Sequence, residues 1–229
     1  MIAKRAEQLL LDLAQRPALG AEDFIVSASN RAAVDLVDAF PNWQDRVVAL
    51  VGPEGSGKSH LAHVWQLRSG AELVQASAVD DEVIALHAAR LALVVEDVDR
   101  DLADEHAMFH LLNQVRDLGG HVLLTARSAP GAWKIAMPDL RSRVRALPVV
   151  PIGEPDEALL QAVLLKLLAD RQLIARPAAV THLARHMERS MGMALKVVEA
   201  IDQRVWQSQQ PVTRDLVREV LADIGRSEE

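Results

Sequence analysis

The 229-residue sequence is half apolar, carries 32 acidic against 25 basic residues for a net charge of −7, and contains no cysteine. That length and apolar fraction suit one large domain, or one domain with a small appendage, and exclude a disordered chain. The lack of cysteine excludes a disulfide scaffold, thiolate catalysis and a sulfur-ligated zinc site, and the acidic balance with only three Phe, four Trp and no Tyr argues against a surface built to coat or stack on nucleic acid.

At the N-terminus Lys4 and Arg5 are followed by Glu7 and Asp12 without a small-residue cleavage site, so neither a signal nor a transit peptide is read there. No apolar run approaches the length of a membrane span. The expectation is a cytoplasmic protein with no membrane association. Between about residues 46 and 152, short apolar runs alternate with helical stretches. Val47 to Val51 reads as a buried strand, Lys58 to about Arg68 as a helix, Leu73 to Ala76 as a second strand and Asp80 to Arg90 as a helix. Leu91 to Val95 is a third strand, Glu105 to Leu118 a helix stopped by Gly119 and Gly120, Val122 to Thr125 a fourth strand and Ala146 to Ile152 a fifth. Continuous apolar strands separated by helices predict an α/β, doubly wound parallel sheet covered on both faces.

After Gly153-Glu154-Pro155 the strand-like runs stop. Leu159, Leu160, Val163, Leu164 and Leu167 recur at helical spacing, a second helix starts near Pro177, a third runs from about Met193 to Trp206, and Thr213 caps a fourth through Leu221. These four predict a small helical bundle packed on the sheet domain. Trp65 and Trp206 both sit at core-like helical spacings, so burial is expected of both. His60 and His63, three residues apart, lack a third ligand for a metal and are read as packing and polar contacts.

Gly52-Pro53-Glu54-Gly55-Ser56-Gly57-Lys58-Ser59 satisfies the G-x-x-x-x-G-K-[ST] pattern between a predicted strand and a predicted helix. Backbone N–H groups of such a loop and of the helix N-terminus surround phosphates, the lysine reaches the terminal phosphates and the serine hydroxyl ligates Mg²⁺. A P-loop also needs an acid at the end of a neighbouring strand. Leu93-Val94-Val95-Glu96-Asp97 supplies two, one to hold the metal and one to orient a water, with Asp99 close behind.

Three stretches, Gly57-Lys58-Ser59-His60-Leu61-Ala62-His63, Asp23-Phe24-Ile25-Val26 leading to Ser29-Asn30, and Pro138-Asp139-Leu140-Arg141-Ser142-Arg143, resemble the AAA+ module of the bacterial replication-initiator family of DnaA, and still more its short Hda-like branch. The resemblance runs from about residue 6 to 222. It implies a P-loop AAA+ base with a five-stranded parallel sheet over residues 23–152, a small α-helical lid over 153–229, and an N-terminal segment, 1–22. It further implies ADP or ATP with Mg²⁺, held by Phe24, Val26, Pro53, Glu54, Gly55, Ser56, Gly57, Lys58, Ser59 and His60, with Ser59, Glu96 and Asp97 as metal-side residues.

Gln8-Leu9-Leu10-Leu11-Asp12-Leu13 resembles the peptide by which Hda-like proteins dock on the β sliding clamp of DNA polymerase III; Gln8, Leu9, Leu11 and Leu13 would enter the clamp, the leucines gaining mostly hydrophobic free energy. Arg143 matches the family's arginine finger, which would act in trans on ATP held by DnaA, with Arg141 and Arg145 in the same basic surface. The initiator's helix-turn-helix reader has no counterpart in this sequence, so independent sequence-specific DNA binding is not expected. Two sensor positions depart from the family. Thr125-Ala126-Arg127 stands where the initiators have an acid, leaving Thr125 or Arg127 to serve there, and Met193 stands at the lid arginine, leaving Arg189 or Lys196 as substitutes.

The resemblance thus implies a negative regulator of replication initiation that binds nucleotide, hydrolyses it weakly at most, and activates hydrolysis on DnaA. An autonomous ATPase of helicase-loader type and a non-catalytic adaptor are the other readings. A homo-oligomer is compatible with all three.

Overall fold

The computed structural model describes residues 25–208 and 211–227. The proposed clamp peptide, with Gln8, Leu9, Leu11 and Leu13, and also Phe24, lie outside the described residues.

Five strands, β1 (Val47–Val51), β2 (Glu72–Gln75), β3 (Ala92–Glu96), β4 (His121–Ala126) and β5 (Val149–Pro151), form one parallel sheet in the order β2-β3-β4-β1-β5. Residues of β1, β3 and β4 alternate between two cores, as the period of two in a strand requires. Ala49, Leu93, Val95, Val122 and Leu124 face one helical layer, of α3 (Asp81–Arg90), α4 (Glu105–Leu118) and α5 (Pro138–Arg145). Val48, Leu50, Val94 and Leu123 face the other, of α1 (Arg31–Ala39) and α2 (Lys58–Ser69). Because the central strands are covered on both sides, every residue of β3 is buried, while the edge strands β2 and β5 are half-exposed. Edge β5 is only three residues long and ends in Pro151, features that discourage pairing with another chain.

The helix boundaries follow local chemistry. Asp80 caps α3 and Asp104 caps α4, each carboxylate accepting two backbone N–H bonds, and Gly119 ends α4 in a left-handed turn at φ 80°. On the α1–α2 side Trp65 is fully buried and stacks on Trp43 at 5.0 Å, with Phe40 edge-on to both. Residues from Glu157 on form α6 (Glu157–Asp170), α7 (Pro177–His186), α8 (Met191–Ser208) and α9 (Arg214–Ser227) around their own core of Leu160, Leu164, Leu183, Val197, Ile201 and Val217. Thr213 Oγ1 accepts the Leu216 N–H at 3.3 Å, the cap expected at the start of α9.

The structure corrects the sequence reading at three places. The fifth strand begins at Val149 rather than Ala146, because Pro138 opens α5 and the helix runs on to Arg145. Helices α1 and α5 were not expected; each has a little over two turns and few inward residues, Ala33, Val34 and Val37 in one, Leu140 and Val144 in the other. Trp206, expected inside, is 86 % exposed. Its neighbours Val197, Val198 and Ile201 already fill the inward face of α8. Among the described residues no helix is long and apolar enough to cross a membrane.

Candidate functional site

The phosphate-loop sequence occupies the turn from the end of β1 into α2. Gly55 and Gly57 hold φ 72° and 102°, backbone that side-chain-bearing residues rarely adopt, and Gly57 is the N-cap of α2. The loop therefore presents the first N–H groups of α2, with their positive dipole end, to whatever it encloses. Lys58 is 7 % exposed and folds back, its Nζ donating to the carbonyls of Gly52 at 2.7 Å and Pro53 at 2.8 Å. Burial lowers its pKa; Asp97 opposes the shift and Arg127 adds to it. Ser59 and His60 are exposed on the first turn of α2, and Ser56 is buried with its hydroxyl unpaired among the described residues.

The strand-end acids differ in setting. Glu96 is buried; Oε2 accepts from Gln75 Nε2 at 3.0 Å, whereas Oε1 is buried without a hydrogen-bond partner among the described residues. Asp97 takes φ 56°, and its N–H donates to Thr125 Oγ1 at 3.2 Å. Asp99 accepts from the N–H of Arg127 and from both the N–H and the hydroxyl of Ser128. Burial alone would raise the pKa of Asp99, but these bonds outweigh it and hold the carboxyl below its ordinary value. Among the described residues no three His, Asp or Glu side chains form a metal cluster of their own. The donor set nevertheless fits Mg²⁺, which favours oxygen ligands and is commonly held by one or two carboxylates together with substrate phosphates. The Ser59 hydroxyl, Asp97 and the orphaned Glu96 oxygen supply such ligands.

A cavity of about 250 Å³ separates the loop from the helical bundle. Ile25, Asn30, Gly57 and His60 line it from the sheet domain, and Leu159, Val163 and Leu195 from α6 and α8. Its walls are chiefly apolar, as a stacked purine ring would require. Val26 lies beside this wall in the α1–α2 core, so that Ile25, its neighbour, takes the cavity side. Asn30 fixes this turn, donating to the Ile25 carbonyl at 2.9 Å and accepting the Ser27 N–H at 2.8 Å. One backbone bond joins the two parts, Met191 N–H to the Gly55 carbonyl, and another, Gly153 N–H to the Ser29 carbonyl, ties the connector after β5 to the turn at residues 25–30, both 2.8 Å.

Sequence reasoning missed the bundle side of the cavity. Leu159 and Val163 read only as members of a helical repeat and Leu195 was not singled out, since no spacing rule distinguishes a core leucine from one that lines a ligand wall. Of the lid cations, Lys166 lines the cavity, pairing with Asp170 at 2.7 Å. Met193 is in the bundle core, while Arg189 and Lys196 are exposed.

Arg143 lies elsewhere. On α5, it donates from Nη1 to Asn113 Oδ1, and its guanidinium sits 4.9 Å from the centre of the Phe109 ring. It borders a second cavity, of about 700 Å³, whose wall includes Val47, Arg46, Phe109 and Leu147. Val47 opens β1 and the phosphate loop follows Val51. At about 3.3 Å per residue, Val47 on the wall of this second cavity lies roughly 13 Å along β1 from the strand end at which the loop begins. Arg143 is thus set apart from the loop that carries Lys58 and Ser59. Arg141 and Arg145 are exposed on the same helix.

No protein-family model matches the sequence, and no curated protein does. The likeness lies in the fold. Domain III of the Thermotoga maritima replication initiation protein DnaA superposes with a TM-score of 0.74 at 16 % identity, covering 92 % of this chain and 98 % of that one. AMPPCP-bound DnaA from Aquifex aeolicus gives 0.68 at 19 % identity over 84 % and 68 %, and the Thermotoga maritima RuvB Holliday junction branch migration motor 0.69 at 16 % over 91 % and 72 %. The chain spans about two thirds of the length of the longer initiator structures that it matches. It has the AAA+ fold of DnaA domain III and RuvB, a five-stranded parallel sheet flanked by helices and followed by a helical bundle.

Proposed function

We propose that this chain is a nucleotide-binding AAA+ regulator of replication, which holds ADP or ATP with Mg²⁺ between its sheet and lid and stimulates ATP hydrolysis on DnaA in trans. Lys58 and the loop N–H groups bind the phosphates, Ser59 with Asp97 and Glu96 holds the metal, and the Ile25 to Leu195 cavity takes the base. The metal's part is to neutralise charge on the phosphates. The observation that carries the trans reading is the separation of Arg143 from the chain's own loop, with its guanidinium already oriented by Asn113 and Phe109. Such a group can neutralise transition-state charge only on another molecule's nucleotide. Nucleotide in this chain would bias the angle between sheet and lid, through the Gly55–Met191 seam, and so the partner surface.

The β sliding clamp is the proposed second partner, through Gln8, Leu9, Leu11 and Leu13, which would restrict the stimulation to clamp loaded on DNA. The product would be DnaA in its ADP form and a block on repeat initiation. The test is the ATPase rate of DnaA–ATP mixed with this protein, ADP and DNA-loaded clamp. Stimulation is expected with the natural sequence and is lost in Arg143→Ala and in Gln8→Ala, arginine fingers being worth about 10³ to 10⁵ in turnover. No stimulation by the natural sequence, with nucleotide still bound, sinks the trans mechanism. The second reading is turnover in the chain's own site, favoured by Glu96 and Asp97 at the end of β3. Hydrolysis by the isolated protein that Lys58→Ala abolishes would favour it.

A further inference from the structure

Helices α7 and α9 start side by side, because Ala175 and Val212, each two residues ahead of its helix, pair in a parallel bridge. Basic side chains from both meet where the two helices pack. On α7, His182 and His186 stand one turn apart with ring centres 4.0 Å from each other. On α9, Arg214 and Arg218 repeat the same spacing, and both act on His182. His186 Nδ1 donates to the His182 carbonyl at 2.9 Å, so its Nε2 is the nitrogen left for a further proton or partner. His182 is half-buried, and His186, Arg214 and Arg218 are exposed. Among the described residues no carboxylate pairs with any of these side chains. On α9, Glu219 and Asp223 pair instead with Arg204, and Asp215 is exposed without an ion pair. Helix α7 contains no acid, and on α6, the other helix packed against it, Glu157 is taken by Arg185 at 2.8 Å. Burial lowers the pKa of His182, and His186, Arg214 and Arg218 lower it further. Arg214 is also the first residue of α9, the end at which the helix dipole favours an anion over a cation. Like charges one turn apart destabilise a helix. A cluster that breaks these local rules, in a chain of net charge −7, points to binding rather than to stability.

We propose that this face of the lid is a phosphate-binding patch for the backbone of duplex DNA, with Arg214 and Arg218 as its permanent cations and His182 and His186 as cations recruited when phosphate is near. The proposal goes beyond nucleotide binding and the action on DnaA and depends on neither. Guanidinium groups suit phosphate oxygens, which they bind in a bidentate, charge-assisted geometry. On so exposed a face a single small anion gains little, whereas a polyanion engages several cations at once and releases its counterions. Contacts to phosphate carry no sequence information, so the binding is indifferent to sequence. The net charge of −7 keeps the affinity low, and the patch acts on DNA that a partner such as the loaded clamp already holds close.

The test is fluorescence anisotropy of short labelled duplexes of two unrelated sequences, from about 50 to 200 mM salt, at pH 8 and pH 6, with melting curves to show that each variant is folded. An anion favours the protonated imidazoles, so affinity is expected to rise as pH falls. For the natural sequence the slope of log K against log salt is expected to be about −2 at pH 8, two arginines being engaged, and about −3 or steeper at pH 6. Arg214→Ala and Arg218→Ala are each expected to weaken binding by about three- to tenfold and to reduce the slope by about 1. The double variant His182→Asn/His186→Asn is expected to match the natural sequence at pH 8 and to lose the steepening at pH 6. Arg226→Ala, on the same helix but paired with Asp223, is expected to change neither affinity nor slope. No binding by the natural sequence at the lowest salt, or unchanged slopes in both arginine variants, overturns the proposal. So does displacement by polyglutamate or by inorganic tripolyphosphate as effective as that by unlabelled duplex at equal charge, which would assign the patch to an acidic protein surface or to a small phosphate compound.

Discussion

His87 is fully buried on α3, its Nδ1 3.3 Å from Gln114 Oε1 and its Nε2 buried without a partner among the described residues. Burial lowers its pKa from 6.5, and the Gln114 bond opposes that shift only in part. The unfolded chain therefore binds more protons than the folded one between 6.5 and the lower folded value, and stability falls as pH drops through that window. His121 and His182 are shifted the same way, also chiefly by burial. The urea midpoint is expected to be lower at pH 5 than at pH 7.5, and His87→Leu, which keeps the volume and removes the titration, to narrow that difference. A variant with an unchanged pH dependence would show that the buried ring is not what titrates. The sequence gives no warning of this histidine, because nothing in its spacing says that Gly120 leaves room for the ring. The place of Lys58 and Ser59 between strand and helix was legible for the opposite reason: it is fixed by contiguous residues, whereas the Glu54–Arg127 and Asn113–Arg143 contacts join positions that only the sheet order brings together.

At the scale of elements, the seam between the phosphate loop and α8 is the tightest contact between sheet and bundle that the glycines reveal. A Cβ on Gly55 would lie 2.2 Å from the Cβ of Ser190, on a backbone at φ 72°. Ser190 is itself fixed, its hydroxyl accepting the Met193 N–H at 3.0 Å. Gly55→Ala must therefore strain the loop, at a cost of order 1–3 kcal/mol, or push α8 away. Either outcome is expected to weaken ADP binding at least tenfold in a titration. Gly192→Ala, one residue into α8 from Met191 with open space around the added carbon, is expected to leave binding unchanged. Equal effects of the two substitutions would mean that the seam does not shape the site. Elements with strong local stops were readable from sequence. Helix α4 runs from Glu105 to Leu118 as expected, because Asp104 and Gly119 punctuate it. Helix α5 was not, since Pro138 to Arg145 carries only Leu140 and Val144 as inward apolar residues among its charges, too few to establish a period.

Considered whole, the molecule has two cores facing the sheet and a third inside the bundle, joined across a cavity to which both parts contribute. The division of texture at Gly153 was visible in the sequence, because strands and helices bury residues at different periods. The cavity was not visible, since it depends on how α6 and α8 are set against residues 25–30. That shared wall makes a prediction about cooperativity. A ligand that binds only the folded state stabilises it by about 2.7 kcal/mol at a hundredfold excess over its Kd, and for a chain of this size each kcal/mol moves Tm by roughly 2–4 °C. ADP with Mg²⁺ at that excess is therefore expected to raise Tm by about 5–10 °C in scanning calorimetry. Because Gly57 and His60 meet the same cavity as Leu159 and Leu195, the whole endotherm should move as one. If nucleotide splits the endotherm, shifting one component and leaving the other in place, the ligand touches only the sheet domain, and the lid would have no thermodynamic means of sensing it.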